Sequence, residues 1–302
     1  MKKLLQKQTL ASFDFEWRLF EEHLNAGTSQ TRDHWNQVVD IILAEQELCI
    51  GREWFPGRRV LDVGCGVGRW IEGFRKLGCV VDGLDASPSA CRYLSSVYSG
   101  SPTVRVVRLN LFDLPGSSLW SERYDLVFAW GVLDHTGDTS EALRLISTLV
   151  RDDGLLYLFL YGKRAGSWKG NLFIRTSRLL LLPLPFRAKA WILRLFLRTP
   201  RAVRNAFDQY SPIINARFDY SRVIAWLQAL GFNEIFRPYI DAGQIFVRAS
   251  RSACSARPYF RPPPRHPYWW EGFQLSKLRR SEAIDFHLPI VRSDRSDGEA
   301  RG

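Results

Sequence analysis

The chain has 302 residues, 46% of them apolar, so it is long enough to bury the core of at least one large domain. Its 42 Lys and Arg against 31 Asp and Glu give a formal charge of +11, but residues 163–210 alone hold eleven basic residues and one acidic residue. This concentration argues against a general nucleic-acid coat, and five cysteines without a CxxC pair or a suitable histidine spacing argue against a zinc site or a disulfide framework.

The N-terminal part, residues 1–51, is predicted to be a helical cap. Aromatic and aliphatic residues recur at helical spacing from residue 12 to 50, and Gly51 ends the pattern. The first residues are basic and lack the apolar stretch of a secretion signal, and no apolar run is long enough to span a bilayer. We therefore expect a cytoplasmic protein without a spanning helix.

Short apolar strands alternate with helical stretches from residue 52 to 162. Strands are predicted at residues 60–63, 80–84, 104–109, 126–129 and 155–160. Ser87 and Asp138 have the spacing of helix N-caps. The strands are almost continuously apolar, which indicates that they are buried, and they alternate with helices. This pattern predicts a parallel sheet with helices on both faces.

The pattern resumes at residues 211–250 with one helix and two strands, at 235–238 and 244–249. The turn between these strands is too short for a crossover, so the pair is predicted to be antiparallel. Residues 251–302 are rich in Pro, Arg and Ser, and we expect them to form a mostly disordered tail.

A glycine-rich turn follows the first strand and contains Asp62, Gly64, Cys65, Gly66 and Gly68. Glycines at a strand-to-helix turn let the backbone approach a ligand, and the helix that follows offers free N–H groups. The spacing G-x-G-x-G differs from the G-x-G-x-x-G of dinucleotide-binding folds. The turn therefore predicts a site for a nucleotide-like ligand other than NAD, with a plain tight turn as the alternative.

Two further strand ends carry residues suited to a nucleoside. Asp85 and Ala86 follow the second strand, where a carboxylate can bind both hydroxyls of a ribose. Asn110 and Leu111 follow the third strand, where a side-chain amide and a backbone N–H can bind an adenine edge. Taken alone, Asn110 reads as an ordinary polar loop residue.

As an ordered set, these motifs resemble the class I S-adenosylmethionine-dependent methyltransferases, in particular the small-molecule branch that includes the ubiquinone-biosynthesis O-methyltransferases. The resemblance covers residues 58–162 and 211–250, although Asp152 and Asp153 depart from the family's Lys-Pro-Gly-Gly turn. It implies an α/β, doubly wound, Rossmann-like sheet of seven strands in the order 3-2-1-4-5-7-6, with strand 7 antiparallel. It also implies S-adenosylmethionine as cofactor.

The loop after the fourth strand carries the candidate catalytic residues, His135 and Asp134. Methyl transfer requires little of a protein beyond positioning the acceptor and removing its proton. His135 is the only histidine of the predicted core, and its ordinary pKa suits it to accept a proton from a hydroxyl, with Asp134 or Asp138 orienting it. A loop histidine that bonds to the backbone is the alternative.

The resemblance bears on two more positions of this loop. It implies a cofactor contact for Trp130, for which an aromatic core residue is the alternative. In the ubiquinone-pathway enzymes, a Glu and a Glu-His pair are associated with a divalent cation. Here Asp134 and His135 keep the pair, but Gly131 stands in place of the first Glu, so no metal site is predicted.

The segment 163–210 is predicted to be a helical insert that determines acceptor specificity. Within it, residues 171–204 carry an apolar stripe, Trp191, Ile192, Leu195 and Phe196, beside a basic stripe, Arg187, Arg194, Arg198 and Arg201. A basic amphipathic helix of this kind is typical of surfaces that lie on anionic lipid. The alternative is a lid whose apolar side packs on the core, with its arginines in solvent or bound to a phosphate of the substrate.

These features predict a methyltransferase that acts on a small-molecule, glycan-linked or lipid-linked acceptor, most simply at oxygen. An RNA methyltransferase and a catalytically silent cofactor-binding protein are the alternatives, although no appended RNA-binding motif is recognisable. Nucleic acid is therefore not an expected partner, and an anionic membrane surface is a possible one.

Overall fold

A computed structural model describes residues 2–25, 39–40, 42–163, 168–197, 200–238 and 244–252. Most of the predicted tail and part of the N-terminal cap lie outside the described residues. The strands are β1 (Arg59–Val63), β2 (Val80–Asp85), β3 (Val104–Arg108), β4 (Tyr124–Trp130), β5 (Val150–Tyr161), β6 (Glu234–Phe236) and β7 (Gln244–Ser250).

Eight α-helices are present in the described ranges: α1 (Lys2–Asn25), α2 (Arg69–Lys76), α3 (Pro88–Val97), α4 (Thr139–Ser147), α5 (Trp168–Leu181), α6 (Phe186–Phe196), α7 (Pro200–Tyr210) and α8 (Tyr220–Ala229). A π-helix spans Ile42–Leu48, and short 3-10 helices include Leu111–Gly116 and Leu133–His135. Not one of the helices described is both long and apolar enough to cross a membrane.

The seven strands form one sheet in the order β3-β2-β1-β4-β5-β7-β6. Strands β1 to β5 pair in parallel, whereas β7 pairs antiparallel with both β5 and β6. The predicted Rossmann-like order and the predicted antiparallel final pair are confirmed. Because β1, β2, β3 and β4 run in one direction, the loops that follow them meet at a single edge of the sheet, where open α/β sheets bind ligands.

Apolar side chains fill both faces of the sheet. On one face, Leu61 and Val63 of β1 belong to a core that includes residues of α4 and α8. On the other face, Val60 and Phe128 belong to a second core with residues of α2 and with Leu43 of the π-helix. Successive strand residues point to opposite faces, so β1 contributes to both cores. Both faces are therefore covered.

Two element boundaries differ from the sequence-based expectation. The first helix begins at Lys2 instead of near residue 12. The sequence did not predict this start, because the first turns are mostly polar and show no clear apolar period. Strand β5 begins at Val150 instead of residue 155, although residues 151–153 are exposed and charged. Gly154 makes this extension possible, because a Cβ at that position would lie 2.9 Å from the carbonyl oxygen of Tyr124.

The described residues of the segment 163–210 form three helices instead of one continuous amphipathic stripe. Arg187 and Arg194 lie on α6, whereas Arg201 lies on α7, which begins at Pro200. Arg198 is outside the described residues. The prediction that these four arginines share one helical stripe is therefore wrong, because the chain starts a new helix at a proline.

Candidate active site

The glycine loop between β1 and α2 adopts a backbone conformation that glycine favours. Gly64, Gly66 and Gly68 have φ angles of +67°, +52° and +82°. Asp85, at the end of β2, holds this loop, because its Oδ2 accepts a hydrogen bond of 2.8 Å from the backbone N–H of Gly66. Its Oδ1 accepts a second bond of 2.8 Å from the N–H of Ser87. Each oxygen keeps a further lone pair, which suits it to a ribose hydroxyl.

Asp62 presents a buried acceptor beside the same loop. Its side chain is 2% exposed, and its Oδ2 has no hydrogen-bond partner among the described residues. Burial, followed by the neighbouring Asp85 carboxyl, raises the pKa of Asp62 well above its ordinary value. A buried carboxyl without a partner is costly, and a ligand that donates hydrogen bonds removes that cost. The ammonium group of S-adenosylmethionine is such a donor, so these residues fit the cofactor.

The remaining predicted cofactor residues follow the ends of β1, β2 and β3 at the same edge of the sheet. Ala86 is half-buried at the turn into α3, and Cys65 is buried with a thiol pKa that burial raises well above its ordinary value. The side chain of Leu111 is buried in the core, so Leu111 offers a ligand mainly backbone atoms. Asn110 caps the 3-10 helix through a bond of 3.1 Å from the N–H of Phe112 to its Oδ1. Its amide NH₂ group is not used in that bond.

Trp130 ends β4 and packs among aromatic rings. Its ring centroid lies 4.6 Å from that of Phe159 and 5.8 Å from that of Trp70. Its indole Nε1 donates a bond of 3.2 Å to Glu47, which is fully buried and also accepts a bond of 2.5 Å from Tyr157 Oη. Glu47 was not predicted from the sequence, where it is one of two carboxylates, with Glu45, in an otherwise largely apolar helical stretch.

His135 lies in the loop after β4 with its imidazole fixed by the backbone. Its Nδ1 is 2.7 Å from the carbonyl oxygen of Ile214. A carbonyl can only accept, so Nδ1 carries the proton and Nε2 keeps the lone pair of the neutral ring. Burial lowers the pKa of His135 to about 4. The ring therefore remains neutral at neutral pH and can accept a proton at Nε2.

Asp134 and Asp138 hold the loop and have no hydrogen bond to His135 within the described part of the chain. Asp134 Oδ1 accepts a bond of 3.2 Å from the N–H of Tyr161, and burial raises the pKa of Asp134 to about 8. Asp138 caps α4 by accepting a bond of 3.2 Å from the N–H of Glu141. The predicted orientation of His135 by one of these carboxyls is wrong; the carbonyl of Ile214 orients it.

Helix α1 covers the sheet edge above these loops. Phe13 lies edge-on to His135 at a centroid distance of 4.9 Å. One turn later, Trp17 contacts the glycine loop, because a Cβ on Gly66 would lie 2.7 Å from its Cζ2 atom. Asp14, between them, accepts bonds from Ser87 Oγ at 2.7 Å and from the N–H of Ser89 at 2.9 Å. The side chains of α1 therefore reach both the cofactor loop and the histidine loop.

The three aromatic and acidic contacts of α1 were not predicted from the sequence. The signal that points to them is the spacing of four between Phe13 and Trp17, which places both rings on one helix face. Within the described ranges, no group of three or more His, Cys, Asp or Glu side chains is suited to hold a metal ion.

A family model described as "Methyltransferase domain" matches residues 43–210, which is more than half of the chain. The chain belongs to the methyltransferase domain family. The match includes β1 to β5 and the loops that carry Asp62, Asp85 and His135. The predictions of a class I methyltransferase and of S-adenosylmethionine as its cofactor are confirmed.

Curated relatives resemble part of this methyltransferase. The ubiquinone biosynthesis O-methyltransferase of Proteus mirabilis (strain HI4320) is 30% identical over 117 residues, which cover 37% of this chain and 45% of that protein. The enzyme of the same name from Alkalilimnicola ehrlichii is 32% identical over 108 residues, or 35% and 42% of the two chains. The methyltransferase thus matches less than half the length of these relatives.

Solved structures include distant neighbours of the methyltransferase. Magnesium protoporphyrin IX methyltransferase from Synechocystis PCC 6803, with bound SAH, has a TM-score of 0.48 and 19% identity, covering 83% of this chain and all of that one. An O-methyltransferase family protein from Burkholderia thailandensis also has a TM-score of 0.48, with 14% identity and coverage of 77% and 63%.

Proposed function

We propose that this methyltransferase transfers a methyl group from S-adenosylmethionine to a hydroxyl oxygen of an apolar acceptor, with His135 as general base. The observation that carries the proposal is the 2.7 Å bond from His135 Nδ1 to the carbonyl of Ile214. This bond leaves Nε2 as the acceptor. Burial keeps the ring neutral at neutral pH but also makes it a weaker base than an exposed imidazole, so the support for a general base is the geometry and not the pKa. A neutral nitrogen is of most use where the acceptor loses a proton, as a hydroxyl does.

In this proposal, some residues bind the cofactor and His135 removes the proton. When bound, S-adenosylmethionine supplies an electrophilic methyl group. Asp85 holds the glycine loop and presents acceptors for ribose hydroxyls, and Asp62 presents a buried acceptor for an ammonium group. His135 Nε2 would accept the proton that the acceptor hydroxyl loses when its oxygen takes the methyl group, while the sulfur of the cofactor would keep the electron pair of its former bond to that carbon.

Asp134 acts as a positioning residue in this scheme. Its carboxyl accepts from the N–H of Tyr161 on β5, and its carbonyl accepts a bond of 2.9 Å from the N–H of Ala216. These two contacts join the histidine loop to β5 and to the segment that provides Ile214. Because burial raises its pKa to about 8, Asp134 is protonated at neutral pH and adds no negative charge beside His135.

The surroundings of His135 support an apolar acceptor. Phe13 and Tyr161 both lie edge-on to the imidazole, with centroid distances of 4.9 and 5.8 Å. Aromatic walls favour flat or aliphatic groups, whereas a charged acceptor would lose its hydration there. The curated relatives support a small-molecule acceptor, and a glycan-linked or lipid-linked hydroxyl satisfies the same chemistry.

The experiment uses S-adenosylmethionine with an isotope-labelled methyl group, followed by magnetic resonance of the purified product. We expect the label to appear as a methoxy carbon. A product labelled at nitrogen or carbon would overturn the O-methylation proposal, and label in RNA would favour the nucleic-acid alternative.

A further inference from the structure

Exposed apolar side chains of this protein are concentrated on one pair of helices. Among the described residues, only three exposed large apolar side chains lie outside α5, α6 and their connecting turn: Leu4, Val80 and Val97. The others lie on α5, on α6 or on the turn between them, and we call this set the α5–α6 face: Leu172, Phe173, Leu179, Leu180, Leu182, Trp191, Leu195 and Phe196. Leu180 is 75% exposed and Trp191 is 62% exposed. A patch of this kind on a soluble fold usually marks an interaction site.

The orientation of α6 argues against the lid alternative. Lys189 and Ala190 are the buried residues of this helix, whereas Trp191 and Leu195 are exposed. Three of the four residues of the apolar stripe recognised in the sequence, Trp191, Leu195 and Phe196, are therefore exposed, and Ile192 is half-buried. A lid would have packed that stripe against the core.

The same face is positively charged. Arg187 and Arg194 are exposed, and their spacing of seven places them on the helix side that carries Trp191. Arg175 is exposed on α5. In the sequence, Asp208 is the single acidic residue between 163 and 210. Arginines around exposed leucine and tryptophan match an anionic lipid surface, which offers negative headgroups above an apolar layer.

The buried side of this helix pair connects the face to the active site. Phe15 of α1 stacks on Phe186 of α6 at 5.7 Å and contacts Phe207 of α7 at 5.3 Å. The same helix α1 places Phe13 against His135. Helix α1 therefore packs against both α6, which carries part of the face, and the catalytic loop.

We propose that the α5–α6 face docks on a bilayer that contains anionic lipid. This inference rests on the proposed function, because it names the surface through which the enzyme would reach a lipid-linked acceptor. Apolar side chains enter the interfacial region, and the arginines bind headgroups. Raising the salt concentration weakens the charged part of the interaction.

The test measures co-sedimentation of the full chain with vesicles of phosphatidylcholine alone or mixed equally with phosphatidylglycerol. We expect binding to the mixed vesicles at low salt and none to phosphatidylcholine. Two double variants, Arg187→Glu with Arg194→Glu and Trp191→Asp with Leu195→Asp, should each weaken binding by roughly tenfold or more. Arg123→Glu and Val97→Asp, at exposed positions on other elements, are the matched controls and should bind normally.

Calorimetry with S-adenosylhomocysteine shows whether each variant is folded and keeps the cofactor site. Absence of binding to mixed vesicles at low salt, or normal binding by both double variants, would overturn the docking proposal. The proposal would also be overturned if the face were a dimer interface. In that case the variant Trp191→Asp with Leu195→Asp would dissociate the dimer but would bind vesicles normally. Vesicle binding by a protein that transfers no methyl group to oxygen would leave docking standing and refute the proposed reaction instead.

Discussion

His135 and Asp134 are neighbours in the chain, and burial shifts their pKa values in opposite directions. Burial disfavours the charged form of each group, which lowers the pKa of the imidazole to about 4 and raises that of the carboxyl to about 8. Both side chains are therefore neutral at pH 7. In the proposed reaction, the pair would provide a proton acceptor at His135 with no fixed charge, in an aromatic setting.

Removing the base should reduce turnover far more than cofactor affinity. His135→Ala is expected to lower kcat by about 100-fold or more, because the proton that His135 accepts belongs to the methyl acceptor. Calorimetry with S-adenosylhomocysteine should give nearly the same affinity as for the wild type.

His135→Asn is the matched control for that experiment. Its amide keeps an N–H that can donate to the Ile214 carbonyl but lacks the Nε2 lone pair. The Asn variant should be as inactive as the Ala variant. Recovery of turnover by Asn would show that the hydrogen bond, and not the base, is what the reaction requires.

Asp134 should make the protein less stable as the pH rises. The folded protein keeps the Asp134 proton up to a pH of about 8, whereas an unfolded Asp releases it near pH 4. Between these values the folded state binds more protons, so stability is lost with rising pH at about 1.4 kcal/mol per unit. In Asp134→Asn, thermal unfolding measured between pH 6.5 and 8 should therefore vary less with pH. A slope equal to that of the wild type would mean that Asp134 is ionised in the folded state.

The contact between α1 and the glycine loop gives a prediction for cofactor binding. Gly66 has a φ of +52°, and an added Cβ would lie 2.7 Å from Trp17, whereas Gly57 has a φ of +76° and nothing within 4 Å. A left-handed alanine costs roughly 1–2 kcal/mol at either position, but only Gly66→Ala also displaces Trp17 and the loop. Gly66→Ala should weaken S-adenosylhomocysteine binding by about tenfold or more.

Gly57→Ala is the control, and its cofactor affinity should equal that of the wild type. Adding Trp17→Ala to Gly66→Ala should recover part of the loss, because the smaller side chain makes room for the Cβ. Normal affinity in the single variant Gly66→Ala would contradict the assignment of this loop to the cofactor.

The strands and the cofactor loop were predictable from the sequence because their signals are local. The apolar run that ends in Asp62 and the glycines after it specify a strand and a turn without reference to the rest of the fold. The bond between His135 and Ile214 was not predictable, since 79 residues separate the partners and the acceptor is a backbone carbonyl. The break between α6 and α7 was not predicted, because the spacing of the arginines is helical on both sides of Pro200 and hides the start of a new helix at that proline.

At the scale of the whole molecule, the proposed functional elements meet at one edge of the sheet. The loops after β1 and β2 carry the proposed cofactor site, the loop after β4 carries the proposed base, and α1 contacts all of these loops. Helix α6 packs on α1 through Phe186, and the α5–α6 face presents apolar and basic side chains to solvent. This arrangement agrees with the proposed methylation of an apolar hydroxyl and with the proposed docking of the α5–α6 face on lipid.

The most direct measurement follows the labelled methyl group from S-adenosylmethionine into a deproteinised cell extract that is then separated into lipid, small-molecule, RNA and residual protein fractions. The wild-type protein should label the lipid or small-molecule fraction, and His135→Asn should leave that fraction unlabelled. Label in RNA or protein, or equal labelling by the two forms of the enzyme, would contradict a His135-dependent transfer to an apolar hydroxyl.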